Sequence, residues 1–98
     1  MGKGVEIIKH IVIWGMKPEV TAEQKLEMKL RLMALNGKIP QLLNIEVGID
    51  YDNGTMSLIS EFASAEDLAT YQSHPDHLSV VDFVKPLVAG RAVCDYEC

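Results

Sequence analysis

The stretch from Glu6 to Met16 (Glu-Ile-Ile-Lys-His-Ile-Val-Ile-Trp-Gly-Met) constrains the fold more than any other part of the chain. A β-strand alternates its side chains between two faces, so Ile8, His10, Val12 and Trp14 fall on one side and Ile7, Lys9, Ile11 and Ile13 on the other. Both sides are mainly β-branched or large apolar groups, the pattern of a central strand covered on both faces. The chain available to cover it is short. Its 98 residues suffice for one domain, read here as 1–98 with a core over 7–97. With 48% hydrophobic and 23% charged residues, disorder as the main state is excluded. A domain of this size hides only about 60–70% of its unfolded surface, so a face buried by a partner subunit matters disproportionately.

The remaining elements follow in order. Pro18 ends the first strand, and Thr21 with Gln24 three residues on forms a capping box that opens a helix. Asn36-Gly37 supplies a left-handed stop, and Pro40 forbids resumption. Two apolar stripes run along this helix: Ala22, Leu26, Leu30 and Met33 on one side, Met28, Leu32 and Leu35 on nearly the opposite side. A surface helix of a small monomer needs one stripe, so two imply burial against the sheet and against another helix or subunit. Leu43–Tyr51 alternates as a second strand, and Asp52-Asn53-Gly54 predicts a type I′ hairpin turn into a third strand, Thr55–Ala63. Ser64 and Asp67 repeat the cap pattern for a short helix through Tyr71. Pro75 begins a further helix whose His77, Val80, Val81, Val84 and Val88 share a face, until Pro86 bends or ends it. Arg91–Tyr96 is the fourth strand. The order β-α-β-β-α-β, with the second helical region broken, predicts an α+β ferredoxin-like protomer: an antiparallel sheet with helices on one face. The helix-free face carries Ile7, Ile11 and Ile13, and a second copy related by two-fold symmetry is the economical cover.

Charge and cysteine content narrow the partners. Nine Lys and Arg against 14 Asp and Glu, a formal net charge of −5 with no dense basic cluster, argue against nucleic acid. No apolar run approaches the roughly 20 residues of a membrane span. The start Met1-Gly2-Lys3-Gly4-Val5-Glu6 lacks the apolar stretch of a signal peptide and has Glu6 where a myristoylation pattern needs Ser or Thr, so the expected address is cytoplasmic. Cys94 and Cys98, four residues apart on a strand, stand about 13 Å from each other, beyond the reach of an intrachain disulfide. Cys94 is expected as a small core residue.

Among chemistry-bearing residues, His77 stands out. At the start of an apolar helical face, burial and the helix N-terminus disfavour its cation, leaving a neutral imidazole able to accept a proton. A histidine there also serves its own turn by hydrogen bonding. Tyr71, at the end of the preceding short helix, can be brought by the turn to His77; its alternative role is a boundary tyrosine with a wet hydroxyl. His10 on the strand reads as a satisfied core polar group, and His74 as part of the turn. No supporting carboxylate spacing points to a metal site, and no cofactor is implied.

Several stretches together resemble the stress-responsive A/B barrel family: Ile8-Lys9-His10-Ile11-Val12, Gly37-Lys38-Ile39-Pro40, His74-Pro75-Asp76-His77, Val80-Val81-Asp82-Phe83-Val84-Lys85-Pro86-Leu87 and Asp95-Tyr96. The resemblance implies a ferredoxin-like protomer that dimerises into an α+β barrel. It also implies a comparison with plant polyketide cyclases of the olivetolic acid cyclase type, whose catalytic tyrosine and histidine match Tyr71 and His77, with His10 matching a further pocket histidine. By that comparison His77 takes a proton next to a carbonyl and Tyr71 steadies the developing oxyanion. Met28 and Leu32 stand where the cyclase has aromatic residues, so the polyketide substrate does not carry over.

The expected protein is a homodimer with a small, mostly apolar pocket between sheet and helices in each protomer. The first strand contributes His10, Val12 and Trp14, the first helix Met28 and Leu32. The third strand contributes Leu58, Ser60 and Phe62, beside Tyr71 and His77. Its leading function is to bind a small hydrophobic or aromatic carbonyl compound, with cofactor-free acid–base chemistry at the pair. The alternatives are a non-catalytic, stress-related or structural dimer, and a cofactor-free monooxygenase-like barrel.

Overall fold

In the computed structural model, which describes residues 6–98, strands β1 (Ile8–Met16), β2 (Asn44–Ile49), β3 (Met56–Phe62) and β4 (Val88–Glu97) form one antiparallel sheet in the order β2-β3-β1-β4. The doubly apolar β1 occupies an interior position, as its sequence requires. Helices α1 (Ala22–Met33), α2 (Ala65–Ser73) and α3 (Pro75–Val84) complete the ferredoxin-like βαββαβ fold. Most of the N-terminal stretch read above for leader and lipid-anchor patterns, residues 1–5, lies outside the described residues.

Local sequence accounts for the helix ends. Thr21 Oγ1 accepts the Gln24 N–H at 3.1 Å while Gln24 Oε1 accepts the Thr21 N–H at 2.9 Å, closing the capping box. Ser64 accepts the Asp67 N–H, and His74 Nδ1 accepts the Asp76 N–H, with Pro75 as the first residue of α3. Pro86 ends the helical run: α3 stops at Val84 and gives way to a 3₁₀ turn, Lys85–Leu87. Val88 opens β4 instead of extending the helical face, and β4 is longer than the Arg91–Tyr96 expected.

The hairpin between β2 and β3 is not of type I′, which requires positive φ at two residues; only Gly54 there has it, at 75°. The Asp50 carboxylate instead accepts the N–H groups of Asp52 and Asn53 at 2.9 and 2.7 Å, holding a longer loop closed.

The core lies between the sheet and its single helical layer. Met28, Leu32 and Leu35 bury against Val12, Met56, Leu58 and Phe62 in one cluster. The other α1 stripe, of Leu26, Leu30 and Met33, stays outside, with Leu26 and Leu30 half exposed. On the helix-free side, β1 places Ile11 between Ile59 and Cys94, and Ile13 between Ser57 and Ala92. Ile13, Ile59 and Tyr96 are between 37% and 45% exposed on this apolar face. Cys94 is therefore not a core residue: it is exposed, because the helices cover the opposite side of the sheet. Cys98 is exposed as well, and both thiols are free.

Candidate functional site

His10 is the centre of a polar row on the helical side of the sheet. Antiparallel pairing sets it opposite Ser60 of β3 and Asp95 of β4. Its Nδ1 lies 2.5 Å from Asp95 Oδ1; a carboxylate accepts, so Nδ1 donates and the tautomer is set. Ser60 is fully buried and its hydroxyl donates to the His10 carbonyl at 3.4 Å, not to the imidazole. The three residues are therefore an ordered row and not a nucleophilic triad, which requires a serine–imidazole hydrogen bond.

The α2–α3 corner brings Tyr71 and His77 together. Their ring centroids are 4.4 Å apart at 45°, and Phe62 backs Tyr71 at 4.9 Å. His77 Nδ1 is 3.0 Å from the Gln72 carbonyl. A carbonyl only accepts, so Nδ1 carries the proton and Nε2 the lone pair in the neutral ring. This is the turn bond that a structural role for His77 requires, and the same bond prepares Nε2 as a base. Burial foremost, opposed by the Gln72 carbonyl and assisted by the positive fields of His10, Arg91 and His74, holds His77 below the usual histidine value of 6.5. Tyr71 is 1% exposed, and burial pushes its hydroxyl up to about 12. Among the described residues no buried side-chain polar atom lacks a partner, and the Tyr71 hydroxyl makes no hydrogen bond, so its oxygen touches accessible space. The pair thus combines a neutral base with a neutral hydrogen-bond donor.

A cavity of about 200 Å³ lies alongside, between α3, the 3₁₀ turn, α1 and the β1–β4 edge. Of the residues expected to line a pocket, Trp14 and Leu32 do so. Val12, Met28, Leu58, Ser60 and Phe62 are packed into the core with 4% exposure or less, and none of His10, Tyr71 and His77 lines the cavity. The remaining wall comes from Val80, Val81, Val84 and Lys85 on the helical side and from Val88 to Arg91 on β4. Val80 is three residues along α3 from His77, so the cavity begins about one helical turn from the imidazole. Sequence reasoning does not single out Asp95 or Arg91; the signal that finds them is the antiparallel register of β4 on β1, which sets them opposite His10 and Trp14. Among the described residues, no cluster of three or more His, Cys, Asp or Glu side chains is arranged to hold a metal ion. None of the described helices is long and apolar enough to cross a membrane.

The chain is similar to several solved structures. A dimeric protein of unknown function and ferredoxin-like fold from Bacteroides fragilis NCTC 9343 is 30% identical with a TM-score of 0.80, the match covering 94% of this chain and 96% of that one. A dimeric ferredoxin-like protein of unknown function from Thermobifida fusca YX is 24% identical over 97% of this chain and 93% of that one, with a TM-score of 0.85. The hydroxynitrile lyase from Passiflora edulis is 22% identical over 96% of this chain and 94% of that one, with a TM-score of 0.84. No curated protein matches the sequence. The family model described as Stress responsive A/B Barrel Domain matches residues 8–98, and the chain belongs to that family.

Proposed function

We propose that this protein is a homodimeric A/B barrel whose protomers each bind a small hydrophobic or aromatic carbonyl compound and move a proton on it without a cofactor. The observation that carries the reading is the His77–Tyr71 pair: Nε2 free as a base, the hydroxyl kept protonated by burial, and the rings 4.4 Å apart. His77 Nε2 takes a proton from the carbon next to the carbonyl. The C–H electron pair forms a C=C bond as the carbonyl π pair moves to oxygen, giving an enolate that the Tyr71 hydroxyl hydrogen-bonds, and return of the proton closes the cycle. The His10–Asp95 pair acts beside it as a fixed dipole and holds no reacting atom. The dimer rests on the uncovered Ile11, Ile13 and Ile59 face and on the dimeric solved relatives.

The test is exchange of α-protons for deuterium in a panel of aryl ketones in heavy water, followed by NMR. Exchange above buffer is expected, slowed about 10²-fold or more in His77→Ala and less in Tyr71→Phe. A panel with no exchange above buffer overturns the acid–base reading.

One observation favours the non-catalytic alternative: neither Tyr71 nor His77 lines the 200 Å³ cavity. On that reading the pair holds the α2–α3 corner, and both variants lose stability with no activity to lose. A monooxygenase-like role has no support of its own: a solved antibiotic biosynthesis monooxygenase is 19% identical to this chain and shares its fold alone.

A further inference from the structure

We propose that the cavity beside Trp14 is an organic-anion site: it seats an apolar or aromatic body against Trp14, Leu32 and Val84 and holds a carboxylate on the Arg91 guanidinium. This deepens the carbonyl-compound reading above and rests on it for chemistry, but not for binding.

The body of the site is apolar, with Trp14 and three valines of the α3 region on its walls, and its volume of about 200 Å³ suits a single ring with a short side chain. Its charged rim is of one sign. Lys85 and Arg91 are the charged residues of the lining, and no carboxylate is among them. Among the described residues neither forms an ion pair, a state they share with Lys17, Lys25, Lys29 and Lys38, while Lys9 and Arg31 have acidic partners; what sets Lys85 and Arg91 apart is their place on the rim of an apolar cavity. In a chain of net charge −5, two unpaired cations at the mouth of an apolar cavity are a local inversion of the overall field. Lys85 caps the C-terminus of α3, where a cation is favourable without any ligand. Arg91 has no such local reason. Strand pairing sets it directly opposite Trp14, beside the point where β4 carries one residue more than β1: Gly15 pairs Gly90, Met16 pairs Val88, and Ala89 is left over. Such a bulge re-aims neighbouring side chains, and here Val88 to Arg91 form the cavity wall. A guanidinium presents a planar fork that matches a carboxylate bidentately, which an ammonium does not.

Trp14 is the chain's single tryptophan, so its fluorescence reports the cavity directly. The experiment titrates the protein with hydrocinnamate, its uncharged amide hydrocinnamamide, and the cationic phenylpropylamine, at low and high salt. Hydrocinnamate is expected to bind about tenfold more tightly than the amide, with the gap narrowing as salt rises and the amine weakest. Arg91→Gln should bring the acid down to the amide while leaving the amide unchanged; Arg91→Lys should keep part of the gap. Equal binding of acid and amide, a gap that persists in Arg91→Gln, or no response of Trp14 to any of the three overturns the proposal. Tight hydrocinnamate binding with no α-exchange of any ketone sinks the acid–base reading alone. Exchange of neutral ketones with no preference for the acid sinks the anion site alone.

Discussion

His10 Nδ1 and Asp95 Oδ1, from residues 85 positions apart, meet at 2.5 Å because β1 and β4 pair with these two residues directly opposite. The histidine is buried while the carboxylate is 40% exposed, so the pair sits at the boundary between core and solvent. The bond fixes the orientation of the imidazole on the helical side of the sheet.

Asp95→Ala should free the His10 ring. The expected loss is about 1 kcal/mol, below the usual range for a hydrogen bond to a charged group because the carboxylate is partly solvated. For a domain of this size that is a fall of about 4–8 °C in Tm. Nitrogen NMR should show His10 passing from one tautomer to a mixture. A melt and a tautomer identical to the parent's would show that the contact orients nothing.

His77 should titrate below the ordinary 6.5 in an NMR pH series. Above 6.5 the ring is neutral in folded and unfolded chains alike. As pH falls below 6.5 the unfolded chain takes up the proton first, so this residue's contribution favours unfolding until the lower folded value is reached. His77→Gln should flatten that part of the stability profile. An imidazole titrating at or above 6.5 refutes the effect of burial.

Tyr71→Phe keeps the ring that packs on Phe62 and His77 and removes only the hydroxyl. Tyr71 ionises near 10 when unfolded and about 12 when folded, so its contribution is complete below 10 and is lost as pH rises toward 12. The variant should therefore melt less steeply with rising pH than the parent above pH 10. Parallel profiles would place the hydroxyl in solvent.

Ile11→Asp puts a charge at the centre of the helix-free face, between Ile59 and Cys94. An unpaired charge in an apolar interface costs about 3 kcal/mol or more, so the variant should sediment as a folded monomer where the parent sediments as a dimer. Cys94, exposed in the protomer, should alkylate slowly in the parent dimer and quickly in the variant. A parent that sediments as a folded monomer at micromolar concentration defeats the dimer.

Much of this architecture is legible locally. The Thr21–Gln24 and Ser64–Asp67 caps, the Pro75 helix start and the Pro86 stop depend on residues within a turn of one another, so sequence order reads them directly. The faces of β1 follow from period-two alternation, which put His10, Val12 and Trp14 on the side that the structure buries. The Tyr71–His77 pairing is legible for the same reason, being six residues apart across one turn. The hairpin type is not, since the Asp50 carboxylate competes for the loop's N–H groups and outweighs the Asn-Gly preference.

What only the tertiary structure decided is which distant groups meet and where space remains. Asp95 at His10 and Arg91 at Trp14 come from strand register, a non-local quantity set by the whole sheet closing at once. The cavity's position depends on how far side chains fill the layer between helices and sheet. Met28, Leu58 and Phe62 point inward as their periodicity requires, and close packing consumes the space around them. The opening remains instead at the β4 edge, where the helical layer runs out and a one-residue bulge turns the strand. Periodicity tells a residue which face it takes; only packing tells whether that face meets a neighbour, a void or water.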